Sequence, residues 1–226
     1  MNEIRRVAVV DDSEDDRELI VWALEEAGFV PIVIADVVSV DEAVRQVQES
    51  ADAIVCDHQL RWGDFATFDG AELVARCFEM QIPAVLVTAY VMDADVSIRM
   101  HRRHISGLVP RDQLDGGRLA AELGASQQEL EDSPPRGRVP WRTLLRVVRV
   151  RDGGSDPMVD VVIPQWNPHR NVSFPLRLLA LDTERAAELE GRRFIAHVNT
   201  GADEAADLYF EGFEDAGGVP DAEDLR

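Results

Sequence analysis

The run Val7-Ala8-Val9-Val10-Asp11-Asp12 decides the fold of the first half of this chain. Four apolar residues are too short for a core helix and suit a strand buried on both faces, which then breaks off into two acids. Outward from this run the alternation repeats. Amphipathic Asp15–Ala27 is followed by apolar Val30–Ala35, amphipathic Ser39–Glu49 and apolar Ala53–Cys56, then by Gly70–Met80, Ala84–Val87, Asp93–Arg103 and Gly107–Val109. Parallel strands need helical crossovers, so the pattern predicts a three-layer α/β domain. Leu19, Ile20, Ala23, Leu24 and Ala27 recur at helical spacing, with Gly28 where a C-terminal cap belongs. Ser39 and Glu42 have the spacing of a capping box. A last helix near Gln113–Leu123 is expected to end at Gly124.

The segment from Gln127 to Pro140 contains Ser133-Pro134-Pro135-Arg136-Gly137 and reads as a linker. Beyond it the chain changes to β-rich runs, Trp141–Arg151, Met158–Ile163, Ser173–Leu181, Phe194–Asn199 and Leu208–Phe213, which predict a small all-β barrel or sandwich. Thr183–Glu190 reads as one or two helical turns. The expected organisation is a first domain over 1–126, a linker over 127–140, a β-rich domain over 141–216 and a disordered acidic tail over 217–226.

Composition narrows the function. The chain has 226 residues, of which 46% are hydrophobic and 29% charged, enough for one large or two small globular domains. It carries 43 Asp and Glu against 23 basic residues, all arginine, for a formal charge of −20. That charge disfavours general affinity for nucleic acid or anionic membranes, which needs clustered cations. Two cysteines, Cys56 and Cys77, are too few for a disulfide framework. The N-terminal residues lack the apolar stretch of a signal peptide, so the expectation is a cytoplasmic protein.

In an open parallel sheet the ligand crevice lies at the carboxyl ends of the strands. Asp11 and Asp12 follow the first strand, Asp57 the third, Thr88 the fourth and Arg111 the fifth. Three converging carboxylates repel one another unless a cation sits among them, and an all-oxygen set suits Mg²⁺. Such a crevice could hold a phosphoryl group on Asp57, with metal on one side and Thr88 and Arg111 on the other.

Residues 1–124 resemble the receiver domain of a bacterial response regulator. The resemblance rests on Val7–Asp12 with its acidic pair, Ala53–Asp57, Asp69-Gly70-Ala71-Glu72-Leu73-Val74, Val85–Ala89 and Gly107-Leu108-Val109-Pro110, in that order and spacing. It implies a flavodoxin-like, five-stranded, doubly wound sheet. It implies further that Asp57 is the phosphoacceptor for a histidine kinase or phosphotransfer protein. Mg²⁺ would be held by Asp11, Asp12, Asp57 and the backbone carbonyl of Gln59. Thr88, Ala89 and Tyr90 would form the switch beside the phosphoryl group, with Arg111 as its counter-charge. The protein would then be a regulator rather than an enzyme.

The sequence departs from the pattern twice. Arg111 stands where the family carries a lysine, and a planar guanidinium is not equivalent to an ammonium. The loop Leu60–Phe68 is long before Asp69-Gly70, and its Trp62, Phe65 and Phe68 read either as a lid or as satellite core. Two rival readings follow. One is a pseudo-receiver in which Arg111 permanently neutralises the crevice; the other is a phosphate sink.

Other residues offer less. Cys56 with His58 lacks further ligands at zinc spacing, His101 to His104 read as a solvated helix end, and His169 and His197 have no nucleophile beside them. Six arginines and no acids lie between 133 and 151, while 182–226 holds 13 acids and 4 bases, so the two are expected to face each other. No paired amphipathic helices follow residue 140, which argues against a helix-turn-helix. An unidentified protein partner for the β-domain or for the Asp93–Arg111 surface is expected, and a homodimer is left open.

Overall fold

The computed structural model describes residues 3–60, 65–89, 96–151, 156–180 and 188–217. They form two compact units, one of Met1–Val91 with His101–Pro135 and one of Met92–Met100 with Arg136–Arg226.

In the first unit, strands β1 (Arg6–Val10), β2 (Val30–Val33), β3 (Ala53–Asp57), β4 (Ala84–Thr88) and β5 (Gly107–Pro110) are all parallel, in the order β2-β1-β3-β4-β5. This is the flavodoxin-like doubly wound order, with its reversal between β1 and β3. Helices α1 (Glu14–Glu26) and α5 (Gly116–Glu131) cover one face, where Ile20, Leu24, Leu119 and Leu123 pack on Val9 and Val55. Helices α2 (Val40–Ser50) and α3 (Gly70–Glu79) pack against each other and bury Val44, Val47, Leu73 and Cys77.

Local chemistry sets the helix ends. Ser13, Ser39, Asp69 and Asp115 each accept the N–H three residues on and cap α1, α2, α3 and α5. Gly28, at φ 86°, follows α1 in the left-handed conformation. The box expected at Ser39 is half made, because Glu42 turns its carboxylate to Arg45 and Gln46.

The last helix differs from expectation. It runs through Gly124 to Glu131, so the first five residues of the expected linker are helical. Burial outweighs the glycine: Ser126 is fully buried, its Oγ accepting the Ala84 N–H at 3.0 Å and pairing with Ser106 Oγ at 2.7 Å. The expected fourth helix is short, with α4 at Val96–His101 and a 3-10 turn over Arg102–His104. Arg102 is buried and donates to the Ile105 carbonyl, so this is no solvated end.

The second unit contains one antiparallel sheet of β6 (Trp141–Arg151), β7 (Met158–Ile163), β8 (Asn167–Pro175), β9 (Arg193–Val198) and β10 (Phe210–Asp215), ordered β10-β9-β6-β7-β8. Side chains of its two edge strands touch in the core, the Phe174 ring of β8 lying 4.8 Å from that of Phe210 and 5.4 Å from that of Phe213 of β10. Strand β8 begins six residues ahead of the expected Ser173, because the chain reverses at once through the Trp166 N–H to Ile163 carbonyl bond. The apolar residues expected to continue it, Leu176 and Leu179, are instead buried by a 3-10 turn. Arg99 of α4 belongs to this unit; it is buried, donates to the Ala205 and Leu208 carbonyls and lies over the Phe210 ring. The helical turns expected over Thr183–Glu190 and the tail from 218 onward fall largely outside the described residues. No described helix is long and apolar enough to cross a membrane.

Candidate functional site

Asp57 is the last residue of β3, the central and wholly buried strand of the parallel sheet. Asp11 and Asp12 leave β1, its neighbour across the topological reversal, where such sheets open a crevice. Oxygens of Asp11, Asp12 and Asp57 all lie within 4.8 Å of one another, the one such group of potential metal ligands among the described residues. The crevice above them has a volume of about 460 Å³, and Gln59, Ala89 and Arg111 help to line it.

Asp11 and Asp57 are held by their surroundings. Asp11 is fully buried and accepts the Ser13 N–H at 2.9 Å, while its carbonyl accepts from Arg17. Burial lifts its pKa to about 6, and the charge of Asp57 adds to the rise against the opposing Ser13 N–H and Arg111. Asp57 accepts the Gln59 N–H on Oδ2 at 2.7 Å and the Arg111 guanidinium on Oδ1.

Arg111 opens a 3-10 turn directly after β5. One nitrogen, Nη2, is shared by Asp57 Oδ1 and by Asp11 Oδ2 at 3.1 Å, and Nη1 reaches Asp16 Oδ1 at 3.0 Å. Burial works against its charge, but Asp57 and Asp11 outweigh it and hold the guanidinium more firmly protonated than usual. This differs from the expected arrangement, in which Arg111 sat across Asp57 from the metal. Its long planar fork lets one cation span Asp57, Asp11 and Asp16.

The remaining expected residues are partly placed. Thr88 ends β4 and is buried, Ala89 follows it into the crevice, and Tyr90 lies outside the described residues. Phe68 is buried and Phe65 half-buried, as satellite core requires, while Trp62 lies outside the described residues. His58 is buried, its N–H bound to the Val87 carbonyl. Cys56 is fully buried, which drives its thiol pKa well above the ordinary value and leaves it inert.

Sequence reading missed three contributors. Asp16, in the first turn of α1, anchors the outer nitrogen of Arg111. Ser13 both caps α1 and fixes Asp11. Gly70 begins α3 so close to β3 that a Cβ there would lie 1.8 Å from the Asp57 carbonyl oxygen. Its N–H bonds the His58 carbonyl at 2.9 Å, tying α3 to the strand end that carries Asp57. The Asp-Gly pair was the available signal.

Hard carboxylate oxygens at this spacing fit a divalent cation such as Mg²⁺, provided Arg111 gives up the two oxygens it shares.

Solved structures that the chain resembles include receiver domains. The signal receiver domain of the putative response regulator NarL from Mycobacterium tuberculosis is 21% identical, with 56% of this chain and 98% of that one covered at a TM-score of 0.43. The chemotaxis response regulator CheY4 of Vibrio cholerae is 20% identical over 55% of this chain and 99% of its own, at 0.41. A receiver domain protein from Clostridium thermocellum is 13% identical over 55% and 95%, at 0.42. No family model and no curated protein matches the chain.

Proposed function

We propose that this protein is a phosphoacceptor of two-component signalling, taking a phosphoryl group on Asp57 and passing the signal on through protein contacts rather than DNA. The observation that carries the reading is the meeting of Asp11, Asp12 and Asp57 at the sheet's topological reversal, with Arg111 bound to Asp57.

In this reading an Asp57 carboxylate oxygen attacks the phosphorus of a phosphohistidine, on a histidine kinase or phosphotransfer protein, or of a small acyl phosphate. The bond from phosphorus to the donor's nitrogen or oxygen breaks as the new P–O bond forms. The protein's work is positioning and charge neutralisation. The Gln59 N–H orients the carboxylate, Arg111 donates to the phosphoryl oxygens, and the Thr88 hydroxyl and the Ala89 backbone complete the pocket. Asp11, Asp12, Asp57 and the Gln59 carbonyl would hold Mg²⁺, which supplies further charge neutralisation when bound.

The test is incubation of the full chain with Mg²⁺ and a small acyl phosphate, read by intact mass. One labile phosphoryl adduct, absent from Asp57→Asn, is the expected result; no adduct overturns the reading.

One observation favours a second reading. Arg111 Nη2 already neutralises Asp57 and Asp11 together, as a pseudo-receiver locked by its own cation would. That reading expects neither adduct nor Mg²⁺ binding.

A further inference from the structure

Across the middle of the antiparallel sheet, one row of residues carries two cations and no acid. From the end of β10 to β8 the strand registers give Ala216, Arg193, Arg146, Val162 and Asn171. Leu145, Val147 and Phe194 are buried in the core, so Arg146 and Arg193 stand side by side on the opposite, outer face. Like charges directly across a sheet repel. The arginines around them are answered within the sheet: Arg142 by Glu214, Arg149 and Arg151 by Asp160, and Arg192 by Asp215. Arg146 and Arg193 have no acidic partner among the described residues, although the chain carries 43 acids.

The next two rows complete a surface. Leu144 and Ile195 are register partners two residues along the strands, and beyond them come Arg142 and His197. Leu144 is exposed, and so is Val148, where β6 bulges against β7. The outer face thus presents an apolar pair between two basic rows, with rows about 6.7 Å apart along the strands. An extended polypeptide turns every second side chain to the same side at that same spacing. A segment that reads acid, any residue, apolar residue, any residue, acid therefore matches the three rows in register. A nucleic acid fits less well, because Glu211 and Glu214 of β10, opposite His197 and Ile195, repel a continuous phosphate backbone.

We propose that this face is the docking surface for an extended acidic segment of a partner protein. One carboxylate of the segment meets Arg146 and Arg193 together, the apolar side chain covers Leu144 and Ile195, and the second carboxylate meets Arg142. Docking turns the repulsion between the two arginines into attraction on a surface the sheet has already assembled. It stands independently of phosphorylation at Asp57.

The test is an NMR titration of the full, unphosphorylated chain at low salt with the peptide Ser-Glu-Ser-Leu-Ser-Glu-Ser. The expected result is saturable movement of the Arg146 and Arg193 Nε–Hε signals, with a dissociation constant below ~1 mM. Arg146→Ala with Arg193→Ala weakens binding about tenfold while core amides of the sheet keep their shifts. Leu144→Ser, at an exposed position, weakens it about threefold. The same peptide with glutamine in place of glutamate does not bind. Arginine signals unmoved by the acidic peptide, variants that bind as the native chain does, a glutamine peptide that binds equally well, or a DNA duplex that moves the same signals at lower concentration overturns the proposal.

Discussion

Arg111 ties Asp11 to Asp57 through a single nitrogen: Nη2 lies 3.1 Å from Asp11 Oδ2 while also holding Asp57 Oδ1. A divalent cation held as proposed above would compete with the arginine for the same two oxygens. Arg111→Met is expected to raise Mg²⁺ affinity about tenfold, the scale of one removed charge a few ångströms away at intermediate dielectric. It should also lower the yield of phosphoryl adduct, because the oxygens lose a donor. Isothermal titration and intact mass check the two arms.

Gly70→Ala places a methyl 1.8 Å from the Asp57 carbonyl oxygen, with backbone rather than a flexible side chain in the way. The start of α3 must move, and overpacking of this kind destabilises by about 3 kcal/mol. Denaturant unfolding reads the loss, and adduct formation at Asp57 falls with it.

Asp160 is buried and accepts from Arg149, from both Nε and Nη2 of Arg151 and from Ser173 Oγ at 2.6 Å. Burial alone would raise its pKa, but the hydrogen bonds from Arg151, Ser173 and Arg149 outweigh it and hold it below the usual value. A depressed carboxylate stabilises the fold above its unfolded pKa of ~3.9, and that stability drains away as the pH falls through the folded value. Asp160→Asn is expected to cost about 2 kcal/mol at pH 7 and much less below pH 3. Urea unfolding at both pH values measures the difference.

Asn199 is fully buried and makes three bonds, from Nδ2 to the Gly137 and Asp207 carbonyls and from the Tyr209 N–H to Oδ1. Tyr209 Oη adds a bond to the Arg138 carbonyl at 2.6 Å. Asn199→Ala removes three hydrogen bonds at once, the one from the Tyr209 N–H buried and the other two part-buried, and is expected to lose about 3 kcal/mol. A thermal melt of the full chain checks it.

The parallel sheet was legible because its signal is local: Val7–Val10, Ala53–Asp57 and Ala84–Thr88 are short apolar runs, each ending on or directly before a polar residue that the topology carries to one rim. Helix starts were legible for the same reason, through Ser39 and Asp69. What failed depended on distant partners. Gly124 looked like a stop because nothing near it in sequence says that Ser126 bonds the start of β4. Asn199, a polar residue at the end of a strand, shows no local sign that it ties Gly137 to Asp207 and Tyr209. The crowding of Asp11, Asp12 and Asp57 was legible from their place at strand ends, but the span of Arg111 from Asp57 to Asp16 depends on side-chain reach, which spacing does not encode.

The allotment of Met92–Met100 to the second unit bears on how the gene can be cut. The polypeptide leaves the first unit after β4, contributes Arg99 to the second, and returns for β5, so neither unit is one continuous stretch of codons. A fragment beginning at Arg136 lacks the guanidinium that binds the Ala205 and Leu208 carbonyls, and one ending at Pro135 carries that arginine without its acceptors. Swapping either half onto another protein at the Pro134-Pro135 junction thus divides a folding unit rather than a tether.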